Sequence, residues 1–218
     1  MPTFETEDIG TFVALGGTFS SHQEEKNRRY RWPDAWVVPD AAVVPEGAAI
    51  EIPDRVEEVK PASELTAVIG APIHRASESE AWDAIEGFTV SNDVTAAGDW
   101  PGWSDPDHGM VTGVGYKILT TFSPILTEYR SKGEVDDYVD LDVEVRVDGQ
   151  VSVSGSTNQM AFGIGEMVSF ASHITPLEPN DVVALGDPGN PRRTLDDAES
   201  VTASVESIGM LENPIRRV

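Results

Sequence analysis

The sequence predicts a mainly β, α+β protein, and three observations lead there. Residues 64–70 (ELTAVIG) and 87–96 (GFTVSNDVTA) are apolar runs edged by glycine, the pattern of buried strands. Residues 139–147 (VDLDVEVRV) alternate apolar and charged side chains without a break. Asp148-Gly149 then reads as a two-residue hairpin turn into Val151 and Val153. Helical spacing is confined to short stretches, so strands dominate and a doubly wound α/β arrangement is not expected.

The elements follow in order. Residues 1–58 form a loosely patterned leading region. Its Pro33, Pro39, Pro45 and Pro53 punctuate the pairs Val37-Val38 and Val43-Val44, which predicts small strands and turns. The pattern sharpens from residue 59. Ser77 and Glu80 have the spacing of a capping box, with Trp82 and Ile85 expected on one face of the helix that follows. Strand signals resume at Phe88. Residues 98–114, rich in Gly, Asp, Pro and Trp, read as a long loop that includes Trp100 and Trp103. Ile164, Met167, Val168 and Ala171 mark an amphipathic helix ending before Pro176. Residues 182–185 and 201–208 read as late strands. One domain with a sizeable core accounts for the 218 residues.

Charge and composition restrict the function. The formal net charge is −23, with 38 Asp and Glu against 15 Lys and Arg, of which four are lysines. Such a field repels nucleic acid and anionic membranes, so neither is an expected partner. The same balance predicts a salt-loving source, a halophilic archaeon, in whose molar-salt cytoplasm self-repulsion is screened to about 3 Å. No apolar run reaches membrane-span length and no charged-then-apolar leader is visible, so the expected location is cytoplasmic. With no cysteine in the chain, disulfides, thiolate ligands and thiol nucleophiles are excluded, and any metal must be held by oxygen or imidazole. An aromatic content of 7% argues against a carbohydrate-binding β-domain, which needs exposed aromatic platforms.

The candidate site residues are few. Glu64 opens the first apolar run and Asp93 lies within the second, and a carboxylate at a buried strand end must stay wet or meet a cation. Taken alone, each simply ends a strand at the surface of an acidic protein. Carboxylate oxygens also suit Mg²⁺ or Mn²⁺. His22 and Glu25 are three residues apart, on one face of any short helix, and are equally readable as a solvated turn. Lys117 stands between apolar neighbours in VGYKIL, where an ammonium needs an anionic partner, a substrate or a structural acid.

These segments, in this order, resemble the fumarylacetoacetate hydrolase family. Residues 64–70 and 87–96 are similar to its ExELAVVIG and GYTVxNDVxARD, and residues 12–25 (FVALGGTFSSHQEE) to VGLNYxxHxxE. Residues 115–124 (GYKILTTFSP) resemble GKSFDTFxPxGP, and 147–160 resemble VNGxxxxxGxTxxM. Residues 177–188 (LEPNDVVALGDP) resemble LEPGDVIxTGTP, and 208–214 the closing GIGxLxNPV. The resemblance implies a mixed β-sheet roll with a few short helices, residues 1–58 as a lid and 59–218 as the catalytic unit, assembled as a homodimer. It implies that Glu64 and Asp93 hold Mg²⁺ or Mn²⁺, that His22 and Glu25 activate water, and that Lys117 meets the substrate.

The implied reaction is hydrolytic C–C cleavage of a 2-oxo or β-diketo acid such as an acylpyruvate, through a metal-bound enolate. Oxaloacetate-type decarboxylation and hydration or dehydration are alternatives within the family. Three positions depart from its pattern. Ala62 stands where the family's first metal carboxylate would be, Gly98 replaces an arginine, and Asp187 replaces the threonine of the Gly-Thr-Pro loop. They motivate a reading of a different class, a catalytically impaired binding or structural subunit.

Overall fold

The structure, a computed structural model, describes residues 1–25, 27, 29–54, 56, 58–96, 121–135 and 138–218. It is mostly β, with three short α-helices among these residues: α1 (Ser20–Glu25), α2 (Glu78–Ala84) and α3 (Ile164–Ile174).

The larger sheet runs in the order β2 (Asp34–Val38), β1 (Phe12–Gly16), β13 (Val182–Ala184), β6 (Glu64–Ile69), β7 (Ile85–Ser91), β9 (Ser123–Ile125) and β3 (Val43–Pro45). A short β10 (Arg130–Ser131) also pairs with β7. The second sheet has the order β12 (Gln150–Ser156), β11 (Asp142–Val147), β14 (Ser200–Val205), β15 (Gly209–Arg217) and β4 (Ile50–Ile52). The pair β5 (Val59–Lys60) and β8 (Thr95–Ala96) completes the strands.

β6 and most of β7 are buried on both faces, which is why their sequences read as near-continuous apolar runs. Leu65, Ala67 and Ile69 join Phe88 and Val90 in a core shared with Met167, Val168 and Ala171 of α3 and with Val143, Ala203 and Val205 of the second sheet. Val68 belongs to a separate cluster with Phe12, Ala14 and Val182. The alternation of β6 thus divides its side chains between two cores. Glu64 and Thr66 share the parity of Val68, not that of the larger core.

The hairpin forms as expected, with Asp148 and Gly149 both at positive φ (48° and 74°), as a primed turn requires. The strand before it is shorter than its sequence pattern. β11 starts at Asp142, because its partner β12 ends opposite it at Ser156 and the Leu141 N–H turns to the Thr157 hydroxyl instead. Val139 is left exposed.

The capping box of α2 is present: the Ser77 hydroxyl accepts the Glu80 N–H, and the Glu80 carboxylate accepts from the Ser77 N–H. The Ser77 hydroxyl also donates to the Glu80 carboxylate at 2.7 Å, and this bond first, then the one from the Ser77 N–H, holds the Glu80 carboxyl below its ordinary value. Ile85 does not extend the helix as its spacing with Trp82 suggested. It is the C-cap, already extended, and opens β7 while burying in the same core. Gly87 then lets β10 approach, since a Cβ there would lie 2.3 Å from the Arg130 carbonyl oxygen. No helix among the described residues is long and apolar enough to cross a membrane.

Candidate active site

The strand order brings four chain segments to one edge of the larger sheet. β1 and β13 are parallel, with Ala14 beside Ala184. β6 is antiparallel to β13, with Thr66 beside Ala184, and β7 is antiparallel to β6, with Ser91 beside Glu64. The C-terminal ends of β1, β13 and β7 therefore meet the N-terminal end of β6. Located there are Thr18, Gly186, Asp187, Glu64 and Asp93.

Glu64 and Asp93 are both buried, at 1% and 3% exposure. Oε2 of Glu64 accepts the Gly186 N–H at 2.7 Å, a bond that fixes the carboxyl group across the strand pair. Gly186 has φ +85°, and a Cβ on it would lie 1.9 Å from the Thr18 hydroxyl oxygen, so only glycine fits this crossing. On the other side the Asn92 side-chain oxygen accepts the Ala62 N–H at 2.9 Å, tying the approach to β6 to the residue before Asp93.

Ala62 precedes β6 by two residues, beyond the last Glu64–Ser91 pair, and its N–H is the one that Asn92 holds. It is 7% exposed. By the family resemblance a methyl group stands where a third carboxylate would be, and the described residues hold no group of three His, Asp or Glu placed to bind an ion. Two buried carboxylates still suit a hard divalent ion, because Mg²⁺ is commonly held by one or two carboxylates with water and substrate oxygens completing its shell. Glu64 and Asp93 are the residues that would hold it. The Ala62→Glu variant is expected to bind Mn²⁺ at least about tenfold more tightly, roughly 1.4 kcal/mol. Calorimetric titration checks this; an unchanged affinity in a folded variant would show that position 62 does not face the ion.

His22 reaches this edge on α1. The helix follows Gly17 at φ +68°, where a Cβ would strike the Tyr30 ring at 2.9 Å. Phe19, fully buried, bridges to Met160, and the Gln23 side chain donates to the Gly17 carbonyl at 2.8 Å. The Ser20 hydroxyl donates to the Gln159 carbonyl at 3.0 Å and that of Ser21 to the Pro188 carbonyl at 2.7 Å. Nδ1 of His22 lies 3.8 Å from Oδ1 of Asp187, ion-pair range rather than a hydrogen bond, with side chains 20% and 15% exposed. Oδ2 of Asp187 accepts the Gly189 N–H at 2.8 Å.

The expected residues thus fall into groups. Glu64 and Asp93 share a sheet edge, and His22 approaches it through Asp187, next in sequence to the Gly186 that holds Glu64. Glu25 closes α1, its side chain outside the described residues. Lys117, Gly98, Trp100, Trp103 and His108 also lie outside them. His74 and His173 are exposed and remote in role, His173 contacting the Ser169 carbonyl of its own helix. Sequence reasoning did not pair His22 with Asp187. The available signal was an acid in the glycine-rich turn directly after a buried strand.

Comparison with known proteins adds to this geometry. The model of the family described as fumarylacetoacetate (FAA) hydrolase C-terminal matches residues 11–216. A mitochondrial oxaloacetate tautomerase of Xenopus laevis is 30% identical over 172 residues, covering 76% of this chain and 52% of that protein. The crystal structure of 5-carboxymethyl-2-hydroxymuconate delta-isomerase from Mycobacterium smegmatis superposes with a TM-score of 0.80 at 27% identity, covering 96% of this chain and 80% of that one. Maleylpyruvate hydrolase from Sphingobium sp. SYK-6, solved in complex with manganese(II) ion and pyruvate, shares the fold at a TM-score of 0.77. Its identity is 18%, over 96% of this chain and 71% of that one.

Proposed function

This chain belongs to the fumarylacetoacetate hydrolase family, and we propose that it is a divalent-metal-dependent hydrolase of a 2-oxo or β-diketo acid such as an acylpyruvate. The observation that carries the reading is the meeting of buried Glu64 and Asp93 at one sheet edge, with the helix bearing His22 fastened beside them. Mg²⁺ or Mn²⁺ held by Glu64 and Asp93 would supply Lewis acidity toward the carbonyl oxygens of the bound acid. The manganese and pyruvate held by the maleylpyruvate hydrolase of the same fold support that assignment.

The chain's own groups do the rest. His22 takes a proton from the attacking water, which adds to the distal carbonyl carbon. The C–C bond then breaks, its electron pair passing to the pyruvate fragment, which is protonated on carbon. Lys117 pairs with the substrate carboxylate. Within residues 1–58, α1 covers the site as its lid while β1 to β4 belong to the two sheets, and the working unit is a homodimer in a salt-rich cytoplasm, a setting consistent with the net charge of −23.

Keto–enol proton transfer on oxaloacetate is a second reading, favoured by the likeness to the Xenopus tautomerase. One experiment separates them: acylpyruvates and oxaloacetate are supplied with Mn²⁺, and enol absorbance and released pyruvate are followed together. Acylpyruvate cleavage gives pyruvate plus a carboxylic acid as the enol signal falls. Tautomerisation moves the oxaloacetate enol signal without releasing pyruvate. If neither signal departs from the protein-free rate, the proposal fails.

A further inference from the structure

We propose that Asp187 is the positioning residue for the His22 imidazole, holding its proton on Nδ1 so that Nε2 carries the lone pair used as the base. The inference rests on the reading of His22 as that base, and it gives Asp187 a role in the site.

The geometry ties both partners independently. Asp187 follows Gly186, whose N–H is bound to the buried Glu64 carboxylate, so its backbone is anchored to the sheet edge. Its side chain is held as well. Oδ2 accepts the Gly189 N–H two residues on, the local turn that aspartate favours, and Gly189 takes the positive φ of +76° that closes the turn. That bond sets the carboxylate with its other oxygen, Oδ1, toward His22 Nδ1.

The helix bearing the imidazole is pinned at the adjoining residues. Ser21, next to His22, donates to the carbonyl of Pro188, next to Asp187, at 2.7 Å. A single hydrogen bond between their neighbours thus holds the acid and the imidazole as a pair. At 3.8 Å the contact is an ion-pair approach, and a closure of about 1 Å makes it a hydrogen bond. A carboxylate accepts hydrogen bonds and donates none when ionised, so it selects the tautomer with hydrogen on the facing nitrogen. A threonine hydroxyl here could donate or accept, and would select neither. Asp187 therefore does for His22 what the carboxylate of a hydrolase triad does for its histidine, orienting the ring and fixing its tautomer.

The test is a long-range proton–nitrogen correlation spectrum of the protein labelled with ¹⁵N-histidine. Its four histidines are few enough to assign the His22 signals by their loss in His22→Gln. In the native protein at a pH where the ring is neutral, His22 is expected as the Nδ1–H tautomer. In Asp187→Asn and Asp187→Thr it shifts toward the Nε2–H form that imidazole favours in water. Turnover should fall in kcat by roughly 10- to 100-fold with KM little changed, and Asp187→Glu should recover part of both signals.

A native His22 already in the Nε2–H form, or unchanged in a folded Asp187→Asn, would overturn the proposal. The spectrum needs no turnover, so it stands or falls apart from the choice of substrate. Loss of activity in Asp187→Asn with an unaltered His22 tautomer would also contradict it, because the acid would then be acting elsewhere.

Discussion

Saturating the native protein with Mn²⁺ is expected to raise its thermal midpoint by roughly 5–10 °C, and Asp93→Asn is expected to abolish that rise. A ligand that binds only the folded state at about a hundred times its dissociation constant adds about 2.7 kcal/mol. For a chain of this size each kcal/mol is worth about 2–4 °C. Asn replaces Asp93 with nearly the same shape, so the buried position stays filled and only the charge is lost. With alanine at position 62, removing that charge leaves Glu64 as the single remaining carboxylate of the pair. One carboxylate is a poor competitor with water for a divalent ion, and the rise should vanish. Differential scanning fluorimetry with and without Mn²⁺ reads both proteins; an equal rise in the Asp93→Asn variant would remove Asp93 from the ion's shell.

The second large effect belongs to His22. In His22→Gln, kcat should fall by roughly 10²- to 10⁴-fold, the usual share of a general base, with KM close to native. The substitution tests chemistry and not folding, because α1 is held by other side chains. Ser20 and Ser21 bond to carbonyls across the chain, Gln23 bonds to Gly17, and Phe19 fills the core beneath. The Mn²⁺-induced rise in midpoint should survive, since His22 is not one of the two carboxylates assigned to the ion. A steady-state comparison, paired with the melting curves, separates this from a general collapse of the site. A variant with native kcat would show that the proton is taken by another group.

The parts of the fold legible in the sequence are those set by local pattern. β6 and most of β7 are buried on both faces and announce themselves as near-continuous apolar runs, and the Asp148-Gly149 turn fixes its hairpin through two left-handed residues. Local pattern misleads where partners decide. The alternation at residues 139–147 runs three residues past the strand, because β12 gives way to a 3₁₀ turn at Thr157–Gln159 and the ladder stops with Thr157 bonding Leu141. The helical spacing of Trp82 and Ile85 runs into a strand because the core accepts Ile85 equally well in extended form.

The candidate site is less legible for a related reason. Its edge is assembled from β1, β13, β6 and β7, an order unlike the chain order, and no periodicity encodes it. Glu64 and Asp93 stand out because carboxylates at the ends of buried strands are costly. Asp187 does not, because its partner His22 comes from the other end of the chain. The bond between their neighbours joins residues 167 apart.

The most direct measurement is calorimetric titration of Mn²⁺ and Mg²⁺ in molar KCl, with and without oxalate as a planar mimic of the 2-oxo acid enolate. The account predicts metal binding that tightens when oxalate is present and is lost in Asp93→Asn, because Glu64 and Asp93 leave coordination positions for two substrate oxygens. Absence of binding at millimolar metal, with oxalate present, would contradict it and leave a family fold without a metal centre.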